Sequence, residues 1–257
     1  MEWPRITIVT TSYNRCRFIG ETIESVLNQG YPNLEHIVID GGSTDGTVDV
    51  IRRYADRLSY CVSEPDRGET HALIKGFSRA TGDILAVLDS DDLHEAWTLR
   101  DVAQFFLNNP EANVVYGDAS WIDAEGLMIG HKKEHPFHRF IWTYDHNFIP
   151  TPAIFWRREL YERVGGFNPS FECAMDADLW VRFADFSPIH HVRRKWVRIR
   201  RSPDARTLQV RRQSALEDLA IRTRYRSNVE PLWSRRAKKV VAKSMRVTWK
   251  LVTGCYW

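Results

Sequence analysis

Three clusters of polar residues each follow directly on a short apolar run rich in β-branched residues. Thr11-Ser12-Tyr13-Asn14 follows residues 6–10, Gly41-Gly42-Ser43-Thr44-Asp45-Gly46 follows 36–40, and Asp89-Ser90-Asp91-Asp92 follows 84–88. Between these runs the apolar residues recur at helical spacing, as Phe18, Ile19, Ile23, Val26 and Leu27 do. The spacing predicts strands over 6–10, 36–40, 59–63 and 84–88, and helices over 18–29, 44–54 and 69–80. Near-continuous apolar strands alternating with helices read as right-handed βαβ units on a parallel sheet. In such a sheet, ligands bind outside the carboxyl ends of the strands. Clusters far apart in sequence therefore converge on one edge and make one site.

The second half is less regular. A strand is expected over 114–116, a hairpin around Ala124-Glu125-Gly126, and helices over 157–164 and 177–184, the first stopped by Gly165-Gly166. His190-His191 reads as part of a strand that ends before the basic run Arg193-Arg194-Lys195. Residues 131–151, rich in His, Phe and Trp without a clean period, read as a long functional loop. Within it His135, His138, His146, Trp142 and Tyr144 are candidates to face an acceptor, or else ordinary loop anchors. After Thr207 the chain reads as helical to the end, with a break at Pro231.

With 43% apolar and 27% charged residues, the chain is neither mainly disordered nor a multi-span membrane protein. No stretch reaches the roughly 18 apolar residues that would cross a bilayer. Residues 1–5 precede a strand-length apolar run and do not read as a secretory leader. Cys16, Cys61, Cys173 and Cys255 are widely spaced, which argues against a zinc ribbon or a disulfide scaffold and fits a reducing, cytoplasmic compartment.

Each cluster has a chemistry and a blander alternative. Carboxylates on the 89–92 turn can share a hard divalent cation whose remaining ligands come from phosphates and water, or they can simply cap the next helix, with Asp92 as that cap. Asp40, ending a strand, can accept a hydrogen bond from a base or ribose, while the glycines after it allow positive φ and close approach.

Taken in order, Val9-Thr10-Thr11-Ser12-Tyr13-Asn14-Arg15, Asp40-Gly41-Gly42-Ser43-Thr44-Asp45-Gly46-Thr47, Ser63-Glu64-Pro65-Asp66-Arg67-Gly68, Leu88-Asp89-Ser90-Asp91-Asp92, Gly165-Gly166-Phe167-Asn168 and Met175-Asp176-Ala177-Asp178-Leu179-Trp180-Val181-Arg182 resemble the family 2 glycosyltransferases. The resemblance runs from about Ile6 to Thr207. It implies an α/β chain with the GT-A fold, a Rossmann-like, mixed but mainly parallel sheet flanked by helices, with a C-terminal helical extension. The implied organisation is a catalytic domain over 1–207, with a nucleotide-sugar half to about 118 and an acceptor half over 119–207, then a basic extension over 208–257.

The resemblance also implies roles. Tyr13 would stack on the nucleotide base with Thr11 nearby, and Asp40 would accept from a uracil N–H. Arg67 would meet phosphate or ribose. Asp89 would contact the ribose and the metal shell, and Asp91 would ligate Mg²⁺ or Mn²⁺ on the diphosphate. Asp176 falls where the family places its general base, with a helix N-cap as the alternative. The implied reaction is inverting transfer from a nucleotide-sugar, a UDP-sugar by expectation, to a saccharide or lipid-linked acceptor. The alternatives are a nucleotidyltransferase on a related fold or a non-catalytic nucleotide-sugar-binding module. The pattern departs from many relatives at Met175, where they carry Glu. It departs again at Arg198-Ile199-Arg200-Arg201-Ser202, where a metal-binding His is replaced by arginine. A permanently cationic Arg200 or Arg201 cannot ligate a metal and is expected instead to contact the diphosphate.

The net charge of +3 hides an asymmetry: from Arg200 onward Lys and Arg outnumber Asp and Glu by 15 to 4. In the last segment Trp233, Ala237, Val240, Val241, Met245, Trp249 and Val252 share one helical face, with Arg236, Lys239, Lys243, Arg246 and Lys250 opposite. Such a helix suits an anionic membrane surface, which would hold the protein on the inner face of the cytoplasmic membrane. The alternative is that the apolar face docks on the catalytic domain. No recognition motif points to nucleic acid.

Overall fold

The computed structural model describes residues 2–201, 210–225 and 231–253. Its elements run β1 (Ile6–Ser12), α1 (Ile19–Leu27), β2 (Leu34–Asp40), α2 (Thr47–Arg52), β3 (Tyr60–Ser63), α3 (Glu69–Phe77), β4 (Ile84–Val87), β5 (Leu93–His94), α4 (Thr98–Asn108), β6 (Val114–Ile122), β7 (Met128–Lys132), α5 (Arg139–Tyr144), β8 (Ile154–Arg157), α6 (Arg158–Arg163), α7 (Met175–Phe186), β9 (Ile189–Arg200), α8 (Arg211–Arg224) and α9 (Leu232–Val252).

A nine-stranded sheet runs in the order β3-β2-β1-β4-β8-β6-β9-β5, with β7 paired to β6. The β3-β2-β1-β4 half is parallel throughout, as the strand-helix alternation predicts. Beyond it, β8 lies antiparallel between β4 and β6, and β9 returns parallel to β6. Alternate residues feed opposite faces. Val9, Leu85, Val87, Val114, Tyr116 and Trp156 pack beneath α3 and α7, whereas Ile6, Ile8, Ile84, Ala86, Val115 and Phe155 pack beneath α4. A sheet covered on both faces explains why its strands read as continuous apolar runs.

The expected elements stand within a few residues of their expected bounds, with several differences. The strands β5 and β8 lie where no strand was expected, although β8 sits between β4 and β6 in the sheet. The helix α4 lies where no element was expected, although Leu99, Val102, Ala103 and Phe106 recur at helical spacing. The strand β9 does not stop before Arg193-Arg194-Lys195. It absorbs them through a register shift that sets Gly117 opposite Val192 but Asp118 opposite Lys195, leaving Arg193 and Arg194 exposed. The stretch 131–151 is not a loop throughout, since it contains α5, whose Ile141, Trp142 and Thr143 are buried. The expected division at 118/119 falls inside β6, and the sheet continues across it; the boundary at 207 lies outside the described residues. Cys16, Cys61 and Cys173 are free thiols, and Cys255 lies outside the described residues.

Candidate active site

The loops after β1 and β2 are laced to each other by short polar side chains. The Asn14 amide donates to the Ser43 hydroxyl at 2.7 Å, the Thr44 amide to Asn14 Oδ1 at 3.0 Å, the Arg15 amide to Thr47 Oγ1 at 2.8 Å and the Cys16 amide to Asp45 Oδ2 at 3.0 Å. Asn14 sits in the left-handed region with φ 51°, a conformation that Asn tolerates better than most residues. Beneath them Asp40 is fully buried. Its Oδ2 accepts from the amides of Gly42 and Ser43 and from the Ser63 hydroxyl, and its Oδ1 from the Ser43 hydroxyl. Asp40 thus organises the turn from below. Gly41 leaves room for the Asp66 carboxylate, since a Cβ there would lie 2.8 Å from Asp66 Oδ2. Tyr13 is 62% exposed at the rim, Thr11 is buried, and Arg67 is exposed on the neighbouring turn.

The 89–92 turn follows β4. Burial pushes the Asp91 carboxyl above the usual aspartate range, partly opposed by the Arg15 guanidinium, whose Nε lies 3.8 Å from Asp91 Oδ2. Asp92 does not cap a helix. It is buried ahead of β5, where burial and then the charges of Asp91 and Asp89 push it well upward, and its Oδ1 accepts the Arg200 amide at 2.8 Å. Crowded carboxylates on one turn, two of them, Asp91 and Asp92, disfavoured as anions, form a donor set suited to a hard cation. Among the described residues no three metal-ligating side chains gather in one place, so Asp89 and Asp91 would hold Mg²⁺ or Mn²⁺ only with water and phosphate completing the shell.

Arg200 does not turn outward to a diphosphate as expected. Its side chain is 1% exposed and lies beneath this turn: Nε donates to the Asp91 carbonyl, Nη1 to the carbonyls of Asp123 and Ala124, and Nη2 to Glu21 Oε2. Arg201 instead stacks on Trp121, with its guanidinium carbon 3.8 Å from the ring centroid.

Asp176 occupies the first turn of α7, and Ala174 holds the N-cap position. Its Oδ2 accepts from the Thr151 hydroxyl at 2.8 Å and from Asn147 Nδ2 at 3.0 Å, and its Oδ1 from the Ala177 amide at 2.7 Å. Burial nevertheless raises this carboxyl above its ordinary value. Thr151 stands just ahead of β8, the antiparallel neighbour of β4. Residue Ile84 of β4 lies opposite Arg157 of β8, and Ala86 opposite Phe155. In that antiparallel pairing the start of β8, which Thr151–Ala153 leads into, lies at the end of β4 that carries the 89–92 turn. The acidic turn and the raised carboxyl therefore share one end of β4.

Of the expected acceptor-facing residues, Trp142 and His135 are buried. Trp142 packs edge-on against Tyr225, and its carbonyl accepts from Arg222 Nη1; His135 packs on Phe148 with ring centroids 4.1 Å apart. The residues of this stretch that reach Asp176 are Asn147 and Thr151, which carry no sequence signal of their own. Glu217 of α8 was equally illegible. Its Oε2 accepts from the amides of Glu172, Cys173 and Ala174 at 3.0, 2.8 and 3.0 Å, gathering the chain just ahead of Asp176. A wide depression of about 490 Å³, lined by Phe137, Arg139 and Phe186–Ile189 among others, includes none of these groups.

The chain thus combines a parallel βαβ half, an acidic turn at the end of β4 and a carboxyl, Asp176, that burial raises. The sequence model of the Glycosyl transferase family 2 matches residues 7–165, and the chain belongs to that family. It is 29% identical over 186 residues to a PGL/p-HBAD biosynthesis glycosyltransferase of Mycobacterium bovis, covering 71% of this chain and 70% of that protein. It is 27% identical over 180 residues to an uncharacterized glycosyltransferase of Nostoc, covering 64% of this chain but only 54% of that one. The fold is that of GT-A enzymes. S. aureus TarS 1-349 in complex with UDP-GlcNAc superposes with a TM-score of 0.66 at 18% identity, over 93% of this chain and 79% of that one. The mannosyltransferase PcManGT of Pyrobaculum calidifontis, in complex with GDP-Man and Mn²⁺, superposes with a TM-score of 0.65 at 21% identity, over 99% and 76%.

Arg200→Met should strand the carbonyls it serves and lower stability on the order of 2–3 kcal/mol, read as a lower denaturant midpoint. An unchanged midpoint would show that the turn holds itself. Glu217→Ala should lower the melting temperature by releasing three amides ahead of α7. Glu217→Gln, which keeps an acceptor oxygen, should restore part of that loss in the same melting scan.

Proposed function

We propose that this chain is an inverting, metal-dependent glycosyltransferase. It moves a sugar from a nucleotide donor, a UDP-sugar, to a hydroxyl of a saccharide or lipid-linked acceptor. Its place is surface glycan or polysaccharide synthesis, peripheral on the inner face of the cytoplasmic membrane. The observation that carries the reading is the acidic turn at the end of β4, where burial pushes Asp91 and Asp92 upward, with a second raised carboxyl, Asp176, tied to Thr151 just ahead of the neighbouring strand β8. The ligands of the structural neighbours, UDP-GlcNAc in TarS and GDP-Man with Mn²⁺ in PcManGT, support a nucleotide-sugar donor and a divalent cation.

In this reading Tyr13 stacks on the base at the rim and Thr11 lines the nucleoside. Asp40 holds the turn that receives the base, and Arg67 meets ribose or phosphate. Asp89 and Asp91 would hold a divalent cation, which would supply neutralisation of the charge on the departing diphosphate. The acceptor hydroxyl oxygen attacks C1 of the sugar while Asp176 takes its proton. The C1–oxygen bond to the diphosphate breaks, the nucleoside diphosphate leaves with that electron pair, and the anomeric centre inverts. A carboxyl raised by burial suits this task, because a base whose pKa lies nearer the working pH drives proton transfer better.

Asp91→Asn should abolish Mn²⁺- or Mg²⁺-stimulated transfer without lowering the melting temperature, since it removes a charge that burial already disfavours. Activity that survives both this change and a chelator would remove the metal from the scheme.

Asp176→Asn should cut turnover roughly 10²–10⁴-fold with donor binding intact by calorimetry. The base form is lost as pH falls through a pKa above the ordinary 3.8, so turnover has an acidic limb. Thr151→Val removes a hydrogen bond that lowers this pKa and should move that limb to higher pH. A limb that moves the other way, or collapse of donor binding in Asp176→Asn, would make Asp176 a donor ligand.

A further inference from the structure

The helix α9 is docked, but not by its apolar face. Arg246 Nε lies 2.5 Å from Asp145 Oδ2, and Lys250 Nζ 2.9 Å from the buried Glu134, which also pairs with Lys132. Lys238 reaches Tyr144, and Ala242, on the same side, is fully buried. The sequence expectation set Arg246 and Lys250 with the solvent-facing cations; they are the attachment instead. The apolar stripe is left outside: Trp233 is 74%, Val240 66% and Leu251 54% exposed. Along one edge of that stripe Arg236, Lys239 and Lys243 are exposed as well, and the helix contains no Asp or Glu.

We propose that this outward face of α9 is a membrane-binding surface, with an anionic phospholipid bilayer as its occupant. The inference deepens the glycosyltransferase reading and rests on it for the purpose of the contact, delivery of a lipid-linked acceptor. A stripe of Trp, Val and Leu beside a row of cations matches the two layers of such a surface, acyl chains below and phosphates above. The chemistry disfavours a second copy of this chain. A two-fold contact through the stripe would lay two helices without a single carboxylate side by side. No helix among the described residues is long and apolar enough to cross a membrane, so the helix would lie in the interface. The segment that anchors α9, from Glu134 to Asp145, also leads directly into Asn147, the partner of Asp176. The membrane contact is thereby tied to the acceptor side of the site.

The test uses the full chain without donor or acceptor, so that a failure of binding is separate from a failure of catalysis. Flotation with phosphatidylglycerol-containing vesicles should carry the protein at low salt, with loss at high salt and on pure phosphatidylcholine. Arg236→Gln/Lys239→Gln/Lys243→Gln should weaken partitioning on the order of a hundredfold. Trp233→Ser/Val240→Ser/Leu251→Ser should abolish it. Both variants keep the docking face, so their melting temperatures should match the parent's. Failure of the parent chain to float overturns the proposal, as does flotation of the serine variant equal to the parent's. A parent that sediments as a dimer, ignores vesicles and turns monomeric with the serine changes would assign the stripe to a second copy and overturn it too.

Discussion

Arg200 ends the last strand of the sheet, and its guanidinium lies under the turn that begins at the end of β4. It donates at once to the carbonyl of Asp91, to the carbonyls of the β6–β7 turn and to Glu21 of α1, a residue 179 positions away in sequence. A buried guanidinium is tolerable only where its donors are met, and here the backbone of two turns and the carboxylate of Glu21 meet them. The consequence runs outward from that point. The acidic turn cannot relax into solvent to relieve its own repulsion, so Asp91 and Asp92 stay crowded and disfavoured as anions. A turn held in that state gains from a cation more than a flexible one would, because the reorganisation has been done by folding.

The opposite side of the site follows the same logic with different parts. Asp176 gains a raised carboxyl from burial, yet three donors keep it fixed. Two of them, Asn147 and Thr151, come from a stretch clamped from behind by the C-terminal helices. Arg222 of α8 pairs with Asp218 and donates to the Trp142 carbonyl, and Glu217 gathers the amides before α7. The helix α8 is thus a structural neighbour of the candidate site.

The legible part of the molecule is the part whose contacts are periodic. The strands β1, β2 and β4 bury both faces, so their composition shows them, and polar residues can follow only where the sheet ends. That made the edge visible, and with it Asp40, Asp89 and Asp91. The illegible part depends on single long-range contacts. Nothing near Glu217 announces that it will accept three amides more than forty residues away. Nothing in Arg198-Ile199-Arg200 separates a phosphate-facing arginine from a buried one, because chain direction alone does not say which side of the turn β9 passes. The aromatic stretch 131–151 misled for a related reason. Trp142 suits a sugar ring and a helix-covered core equally well, and the choice was made by α8, whose Arg222 lies 80 residues later.

The C-terminal helix shows the limit of amphipathic pattern most sharply. Periodicity proves that an apolar face exists, and the usual inference is that this face seeks the core. Here the body offered α9 something stronger than apolar surface. Glu134 is almost wholly buried, held between Lys132 and Lys250, and Asp145 receives Arg246. A buried carboxylate left without its full complement of cations is costly, whereas single exposed apolar side chains are common on protein surfaces. Charge therefore decided which side of α9 turned inward, and the apolar stripe faces out as a consequence of that choice. A sequence with the same hydrophobic spacing but no acidic pair in the 134–145 segment would be expected to dock the other way round.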